Sequence, residues 1–209
     1  MRFGWRPTCG LGYTHNMSPV RPVFQTAVAA LRHRLLTISV LIASALPLNA
    51  AAQPLDDAFA RLAQPGGEGW RMAESDILRA WSRSGSPAMD LLLQRGEAAL
   101  DQGDLPSAIG HLTALTDHAP DFAAGFQTRA AAYAMTGQFG PALADLARTL
   151  ELEPRHFAAL TQLGAMLEEM GEEDRALAAY RASLEIHPHQ QEAIDGIARL
   201  EHARRGTDI

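Results

Sequence analysis

Glycine, alanine and proline recur with a spacing of 34 residues through the second half of the chain. Self-similarity at one fixed period of this length is typical of solenoids, in which each unit is one supersecondary motif stacked on the next. The sequence therefore predicts a repeat stack. The recurring residues are Gly103, Gly137 and Gly171; Ala108, Ala142 and Ala176; and Pro120, Pro154 and Pro188.

The central unit, 123–156, predicts two helices joined by a tight turn. Phe126, Ala130 and Tyr133 recur at helical spacing, so one face of the first helix is apolar. Gly137 follows, and glycine readily adopts the left-handed conformation that ends a helix. A second apolar stripe then runs from Phe139 to Leu150. Pro154 ends it, because the residue before a proline disfavours the helical region.

Small residues occupy matching places in the three units. Gly96, Ala130 and Gly164 share one place in the first helix, and the three recurring alanines share one place in the second. Such residues let helices approach closely while larger side chains fill the gaps. Because one helix pair cannot cover its own apolar face, at least three units are needed to bury a continuous core.

This pattern resembles the tetratricopeptide repeat (TPR). The matching residues are Leu163-Gly164, Tyr133, Ala142, Tyr180 and the three prolines, and the resemblance covers residues 89–190. Arg95 and Arg129 depart from it, since they stand where the family usually has leucine, and no repeat has the early tryptophan. The resemblance implies an all-α, right-handed superhelical stack of three TPR-like units with capping helices at both ends.

The chain divides by this register into a leader, an N-terminal pair of helices, three repeats and a C-terminal helix. The pair contains Trp70 and Trp81 on one stripe, and it is expected to cap the open end of the stack; a partner-binding patch formed by the two tryptophans is the alternative. The predicted segments are 1–52 (signal peptide), 53–88 (capping helices), 89–122, 123–156 and 157–190 (repeats one to three) and 191–209 (capping helix and tail).

The first 52 residues are typical of a secretory signal peptide. Arg32 and Arg34 precede an uncharged apolar run, and an A-x-A pattern predicts cleavage after Ala52. Met17 is an alternative start that gives a leader of more usual length. These features predict export to the bacterial periplasm or envelope. An uncleaved membrane anchor and an organellar transit peptide are the alternatives.

Charge and cysteine content exclude several classes of protein. There is no lysine, and residues 53–209 carry 13 arginines against 24 acids, a net charge of −11. A region this acidic argues against nucleic acid, whose phosphates require clustered basic side chains. The one cysteine, Cys9, lies in the leader, so no disulfide is expected in the exported part.

The resemblance implies that the first helices of the repeats line a concave groove. Family members that hold a peptide's C-terminal carboxylate use Lys and Asn there, but this chain has Leu93, Glu97, Gln127 and Thr161 at those places. A basic or neutral extended segment, or an amphipathic helix, suits the groove better; an ordinary solvated face is the alternative. The implied groove residues are Asp90, Leu93, Glu97, Asp101, Gln127, Ala131, Met135, Thr161, Ala165 and Glu168.

Three other groups of polar residues are interpreted as structural. Arg129 and Asp145 are expected to form an ion pair inside repeat two. The acidic run 168–174 is expected to be a solvated turn and helix start rather than a metal site. His156, His187 and His189 are expected to be exposed turn residues, although stacked turns bring two of them near each other.

Enzyme signatures are missing from the sequence, which has no H-E-x-x-H, no phosphate-binding glycine loop and no G-x-S-x-G. No cofactor or metal is expected. The favoured function is a non-enzymatic adaptor or scaffold that binds a protein or peptide segment in the groove. A self-assembling structural component, and more remotely an enzyme, are the alternatives, and a membrane contact is expected only through an uncleaved leader.

Overall fold

A computed structural model describes residues 53–207, with side chains from 55 to 205. This part of the chain forms nine α-helices and contains no strand, which confirms the predicted all-α stack of helix-turn-helix repeats. The helices are α1 (Gln53–Leu62), α2 (Gly69–Trp81), α3 (Pro87–Asp101), α4 (Leu105–His118), α5 (Ala123–Met135), α6 (Phe139–Leu152), α7 (Phe157–Glu169), α8 (Glu173–Ile186) and α9 (Gln191–Thr207). The predicted leader lies outside the described residues.

The turn inside each repeat is built in the same way. Gly103, Gly137 and Gly171 have φ of 73°, 72° and 77°, a left-handed conformation that favours glycine over any residue with a Cβ. In repeat two, the amide of Gln138 donates to the carbonyl of Tyr133 at 2.9 Å, which closes the end of α5. The 34-residue recurrence of glycine therefore reflects a backbone requirement.

Close helix crossings explain the recurring small residues of the first helices. A Cβ at Gly96 would lie 2.6 Å from the side chain of Leu112, and one at Gly164 would lie 2.6 Å from the ring of Tyr180. Leu112 and Tyr180 hold the same place in their repeats, so the same crossing occurs in repeats one and three. The ring of Tyr180 also meets Gly196 of α9 and is therefore held between two glycines.

The C-terminal helix α9 packs against repeat three. Ala193 and Leu200 are buried beside Tyr180 and Leu177. Arg199 pairs with Glu168 of α7 through two 3.0 Å contacts, so α9 is joined to the stack by apolar packing and by charge. None of the described helices is long and apolar enough to cross a membrane.

The first two helices pack against repeat three and do not cap repeat one. We call α1 and α2, with the loop between them, the N-terminal hairpin. Its apolar side chains form one cluster with Phe157, the first residue of α7, and with Ile186 at the end of α8. The expectation that the hairpin covers the end of the stack at repeat one is therefore wrong, because its apolar stripe finds its complement in repeat three.

Candidate functional site

A cleft of about 560 Å³ lies between the hairpin and the first helices of the repeats. The floor comes from α3, α5 and the start of α7, and the wall comes from α2. Residues from four helices and one turn therefore meet at one solvent-open space. They are Arg71, Glu74, Ser75, Leu78, Arg79, Trp81, Ser82, Leu93, Glu97, Ala124, Gln127, Thr128, His156 and Ala158.

The amphipathic pattern of α2 decides which of its residues line the cleft. Ala73 and Ile77 are fully buried on the stripe that packs inside the hairpin. The other face points Leu78 and Arg79 toward the cleft, and Leu78 remains 43% exposed there. The wall is therefore partly apolar and available to a bound molecule.

The arginines of the wall have acidic partners on α2 or directly before it, whereas the glutamate of the floor has no basic partner among the described residues. Arg71 pairs with Glu68, and Arg79 lies 3.3 Å from Asp76. Glu97 of α3 forms no ion pair or hydrogen bond with any residue of 53–207. Burial, and secondly the nearby charge of Asp101, raise the pKa of Glu97 above its usual range. The floor therefore presents an exposed carboxylate that has no ion-pair partner among the described residues.

A second hollow of about 510 Å³ adjoins the cleft and shares Ser82, Leu93 and Glu97 with it. Leu91, 44% exposed, lies on its rim. Glu97 thus stands between two hollows that both have an apolar side chain nearby. A bound chain that crosses from one hollow to the other passes this carboxylate.

The structure brings three of the implied groove residues together in the cleft, namely Leu93, Glu97 and Gln127. Gln127 donates from Nε2 to Oε1 of Gln162 at 2.9 Å, which links α5 to α7 across the floor. Leu93 is only 3% exposed, so it closes the floor and offers little surface. Glu97 and Gln127 therefore contribute a carboxylate and an amide to the floor of the cleft.

Other implied groove residues have local partners or lie elsewhere. Asp90 lines the second hollow but accepts hydrogen bonds from the amide and hydroxyl of Ser84 at 2.7 and 2.6 Å. Thr161 contributes almost no surface, which corrects its expected place in the groove. It is buried, with its hydroxyl 2.8 Å from that of Ser183.

The remaining groove residues lie outside both hollows. Glu168 accepts hydrogen bonds from Tyr180 and Arg199, which lower its pKa. Asp101, Ala131, Met135 and Ala165 line neither hollow, although Met135 is 59% exposed. The implied groove residues therefore extend beyond the cleft that α2 borders.

Two histidines that the sequence predicts as exposed are buried instead. His156 and His187 are 3% and 1% exposed because the hairpin covers their turns. Burial lowers the pKa of His156 to about 4. It also lowers the pKa of His187, although the hydrogen bond to Glu74 acts in the opposite direction. Both rings are therefore neutral near pH 7.

Sequence reasoning missed the contribution of the hairpin to the site. The signal in the sequence is the pair Trp70 and Trp81, whose stripe predicts a cap on the stack or, as the alternative, a partner-binding patch. In the structure Trp81 lies on a cleft wall, and its ring stacks on His156 at a centroid distance of 4.1 Å. The tryptophans thus bind a face of the same chain.

Metal chemistry finds little support in this part of the molecule. Within the described residues, no three His, Cys, Asp or Glu side chains converge in a way that would hold an ion. The acidic run at the start of α8 instead pairs with α9, where Arg204 lies 2.6 Å from Asp174.

Comparison with known proteins supports the tetratricopeptide-repeat family. Residues 158–189 match the family model for the tetratricopeptide repeat. A TPR repeat-containing protein of Rhizobium etli is 29% identical over 133 residues, which cover 64% of this chain and 65% of that protein. The Hsp70-Hsp90 organizing protein 1 of Glycine max is 34% identical over 117 residues. That match covers 54% of this chain but only 20% of the relative, so the chain spans about a fifth of its length.

A solved structure supports the same fold. The first TPR of Spaghetti (RPAP3), bound to the HSP90 peptide SRMEEVD, aligns with a TM-score of 0.55 at 24% identity. The alignment covers 57% of this chain and 95% of that one. At this identity the likeness establishes the helical-repeat fold.

Proposed function

We propose that this chain is a non-enzymatic protein-interaction scaffold that binds a segment of a partner protein in the cleft between α2 and the repeats. The observation that carries the proposal is Glu97, an exposed carboxylate on the floor of an open cleft that has no ion-pair partner among the described residues. A partner that supplies a cation there would offset the repulsion between Glu97 and the nearby charge of Asp101.

The cleft favours a segment with an arginine or lysine next to an apolar side chain. The basic group would pair with Glu97, and the apolar group would contact Leu78 or Leu91, which are exposed beside it. Such a contact excludes water around the ion pair, which strengthens it. Gln127 supplies an amide within the same cleft.

An acidic peptide fits this cleft poorly. The HSP90 peptide in the solved TPR structure, SRMEEVD, ends in an acidic stretch. In this chain a bound acidic stretch would place its carboxylates near Glu97, which would repel them. The proposed partner is therefore opposite in charge to that peptide.

Selection of random peptides on the full-length chain tests the proposal. We expect the selected peptides to carry a basic residue beside an apolar one, and Glu97→Arg to weaken their binding at least roughly tenfold by fluorescence anisotropy. Glu185→Arg is the matched control, because Glu185 is exposed on α8 and lines neither hollow. Selection of acidic peptides, or equal loss of binding in both variants, would contradict the proposal.

Export to the bacterial periplasm or envelope is a second part of the proposal. Its support is the arginine-flanked apolar run and the A-x-A pattern of residues 1–52. Expression of the full chain in a bacterium, followed by fractionation and N-terminal sequencing, tests it. We expect a periplasmic product that begins at Gln53. A product that retains residues 17–52 in the cytoplasm would overturn export.

A further inference from the structure

The hairpin covers a distinct face of the stack. We call His156, Phe157, His187 and His189 the histidine face; they come from the turn between α6 and α7, the start of α7 and the turn between α8 and α9. Phe157 is 1% exposed, and its ring meets His187 edge-on at a centroid distance of 4.8 Å. Two turns that lie one repeat apart in the sequence therefore form one aromatic surface.

Each tryptophan of α2 stacks on a different histidine of this face. Trp81 lies on His156 with ring centroids 4.1 Å apart and planes 15° from parallel. Trp70 lies on His189 at 4.6 Å and 14°. Since the tryptophans are at opposite ends of α2, the helix is held at both ends by the same kind of contact.

Polar contacts supplement the two stacks. Glu74 Oε1 lies 3.2 Å from Nε2 of His187, and His189 Nε2 lies 2.9 Å from the carbonyl oxygen of Gln64. Asp56 of α1 pairs with Arg155 at 2.8 Å, but both side chains are about half exposed, so that pair adds little stability. The histidines therefore take part in most of the specific contacts between hairpin and stack.

The docked state also carries a cost. Nε1 of Trp81 is buried and has no hydrogen-bond partner among the described residues. A buried unpaired donor is unfavourable relative to the same group hydrogen-bonded to water. Detachment of the hairpin would hydrate this group, which reduces the net free energy of docking.

We infer that the histidine face is an interaction surface for amphipathic helices with aromatic side chains, that the chain's own hairpin is its occupant at neutral pH, and that acidification releases the hairpin. The hairpin shows the kind of helix that fits, with a tryptophan at each end and a carboxylate between them. Its release would remove the α2 wall of the cleft. Only this consequence for the cleft rests on the proposed function.

The direction of the pH effect follows from burial. A histidine exposed by detachment has its ordinary pKa near 6.5, whereas docking lowers the pKa of His156 to about 4. The detached state therefore binds more protons between these values, and docking weakens as pH falls through this window. For His156 alone, linkage predicts that docking at pH 5 is roughly 20-fold weaker than at neutral pH.

Charged groups lie near both histidines. Burial lowers the pKa of His156, and the cleft beside it contains two arginines and two glutamates. Around His187, Glu74 opposes the effect of burial and His189 adds to it, and the net pKa of His187 is lowered. The charged and titratable groups at this face are Arg71, Glu74, Arg79 and Glu97 in the cleft, Asp56 of α1, and Glu153, Arg155 and His189 of the two turns.

Hydrogen exchange of the full-length chain tests the inference without any partner. At about pH 5, after correction for intrinsic rates, we expect amide protection within 53–81 to fall tenfold or more. Amides of α5 and α6 are expected to keep their protection within about twofold, because they lie inside the stack. Equal protection of the hairpin at both pH values, or a parallel loss in α5 and α6, would overturn the inference.

Variants and a titration separate the histidines from general acid effects. In His156→Asn with His187→Gln, which cannot be protonated at these positions, we expect the pH-dependent loss to disappear. His118→Asn, which removes an exposed histidine from α4, is the matched control and should behave like the parent. In the unmodified chain, NMR titration should place the pKa of His156 well below that of a free histidine, and protection of the hairpin should fall between these two pH values. An ordinary pKa for His156 in the docked chain would overturn the inference even if the double variant fails to dock.

The outcomes are distinguishable from those for the proposed function. Release of the hairpin in acid together with failure of basic peptides to bind would leave the interaction surface standing and remove the cleft proposal. Binding of basic peptides without release of the hairpin in acid would support the cleft proposal and overturn the inference about the hairpin.

Discussion

Arg129 and Asp145 form a two-bond ion pair between the two helices of repeat two. Nε of Arg129 lies 2.7 Å from Oδ2 of Asp145, and Nη2 lies 2.8 Å from Oδ1. Nη1 also donates to Oγ1 of Thr116 at 2.7 Å, so the same guanidinium joins repeat two to repeat one. The ion pair predicted from the sequence is confirmed.

Removal of the carboxylate should destabilise the stack strongly. The side chains of Arg129 and Asp145 are only 15% and 9% exposed, so Asp145→Ala leaves a buried, uncompensated cation. We expect a loss of roughly 3 kcal/mol in the free energy of unfolding, measured by urea denaturation.

Repeat one supplies the matched control for this ion pair. Arg95 holds the place of Arg129, but His111 stands opposite, and Arg95 is exposed with no ion pair within the described residues. Arg95→Met should change stability by less than about 0.5 kcal/mol. A similar cost for Arg95→Met and Asp145→Ala would show that the buried pair has no special role.

Alanine at Gly164 should destabilise the protein even though alanine favours helices. A Cβ there would lie 2.6 Å from the ring of Tyr180, and one at Gly196 would lie 2.5 Å from the opposite side of that ring. We expect each substitution to cost about 1–3 kcal/mol through overpacking. Thermal unfolding followed by circular dichroism measures the effect.

Gly110 is the control for the crowded glycines. It lies inside α4 with nothing within 4 Å of an added Cβ, so Gly110→Ala should stabilise the protein by about 0.5–1 kcal/mol. A stabilising effect of Gly164→Ala would mean that the ring of Tyr180 moves aside freely.

A tryptophan at Ala142 tests the register of the repeats. Ala142 is fully buried at the close crossing of repeat two, so Ala142→Trp should cost roughly 2 kcal/mol or more. Ala144→Trp, on an exposed position of the same helix, should change stability by less than about 0.5 kcal/mol. Equal melting temperatures for the two variants would contradict the register.

Stability should decline at alkaline pH because of Tyr180. Burial, and secondly a 2.7 Å hydrogen bond to Glu168, raise the pKa of this phenol well above its ordinary value near 10. The unfolded chain therefore releases this proton first, and the free energy of unfolding falls as pH rises above about 10. We expect Tyr180→Phe to melt at a lower temperature at neutral pH but to show a weaker alkaline decline. An unchanged alkaline profile in Tyr180→Phe would assign the decline to other groups.

The sequence by itself determined the features that repeat. A left-handed glycine, a small residue at a crossing and an ion pair within a helix hairpin each depend on residues close in sequence or one period apart. The 34-residue register therefore predicted the helix pairs and the turns at Gly103, Gly137 and Gly171. The resemblance to the tetratricopeptide repeat implied the contact between Arg129 and Asp145, and that Glu97 and Gln127 share a surface.

Only the tertiary structure decided where the hairpin docks and hence the shape of the cleft. Glu74 and His187 are 113 residues apart, and the hairpin lies outside the repeat register, so no periodicity relates it to its binding face. His156 and His187 are buried because the hairpin docks on their turns. The local sequence of these turns does not indicate this burial, because it is typical of solvent-exposed turns. A non-periodic helix can bury its apolar stripe on any complementary face, and the choice depends on the summed packing and charge of the folded stack.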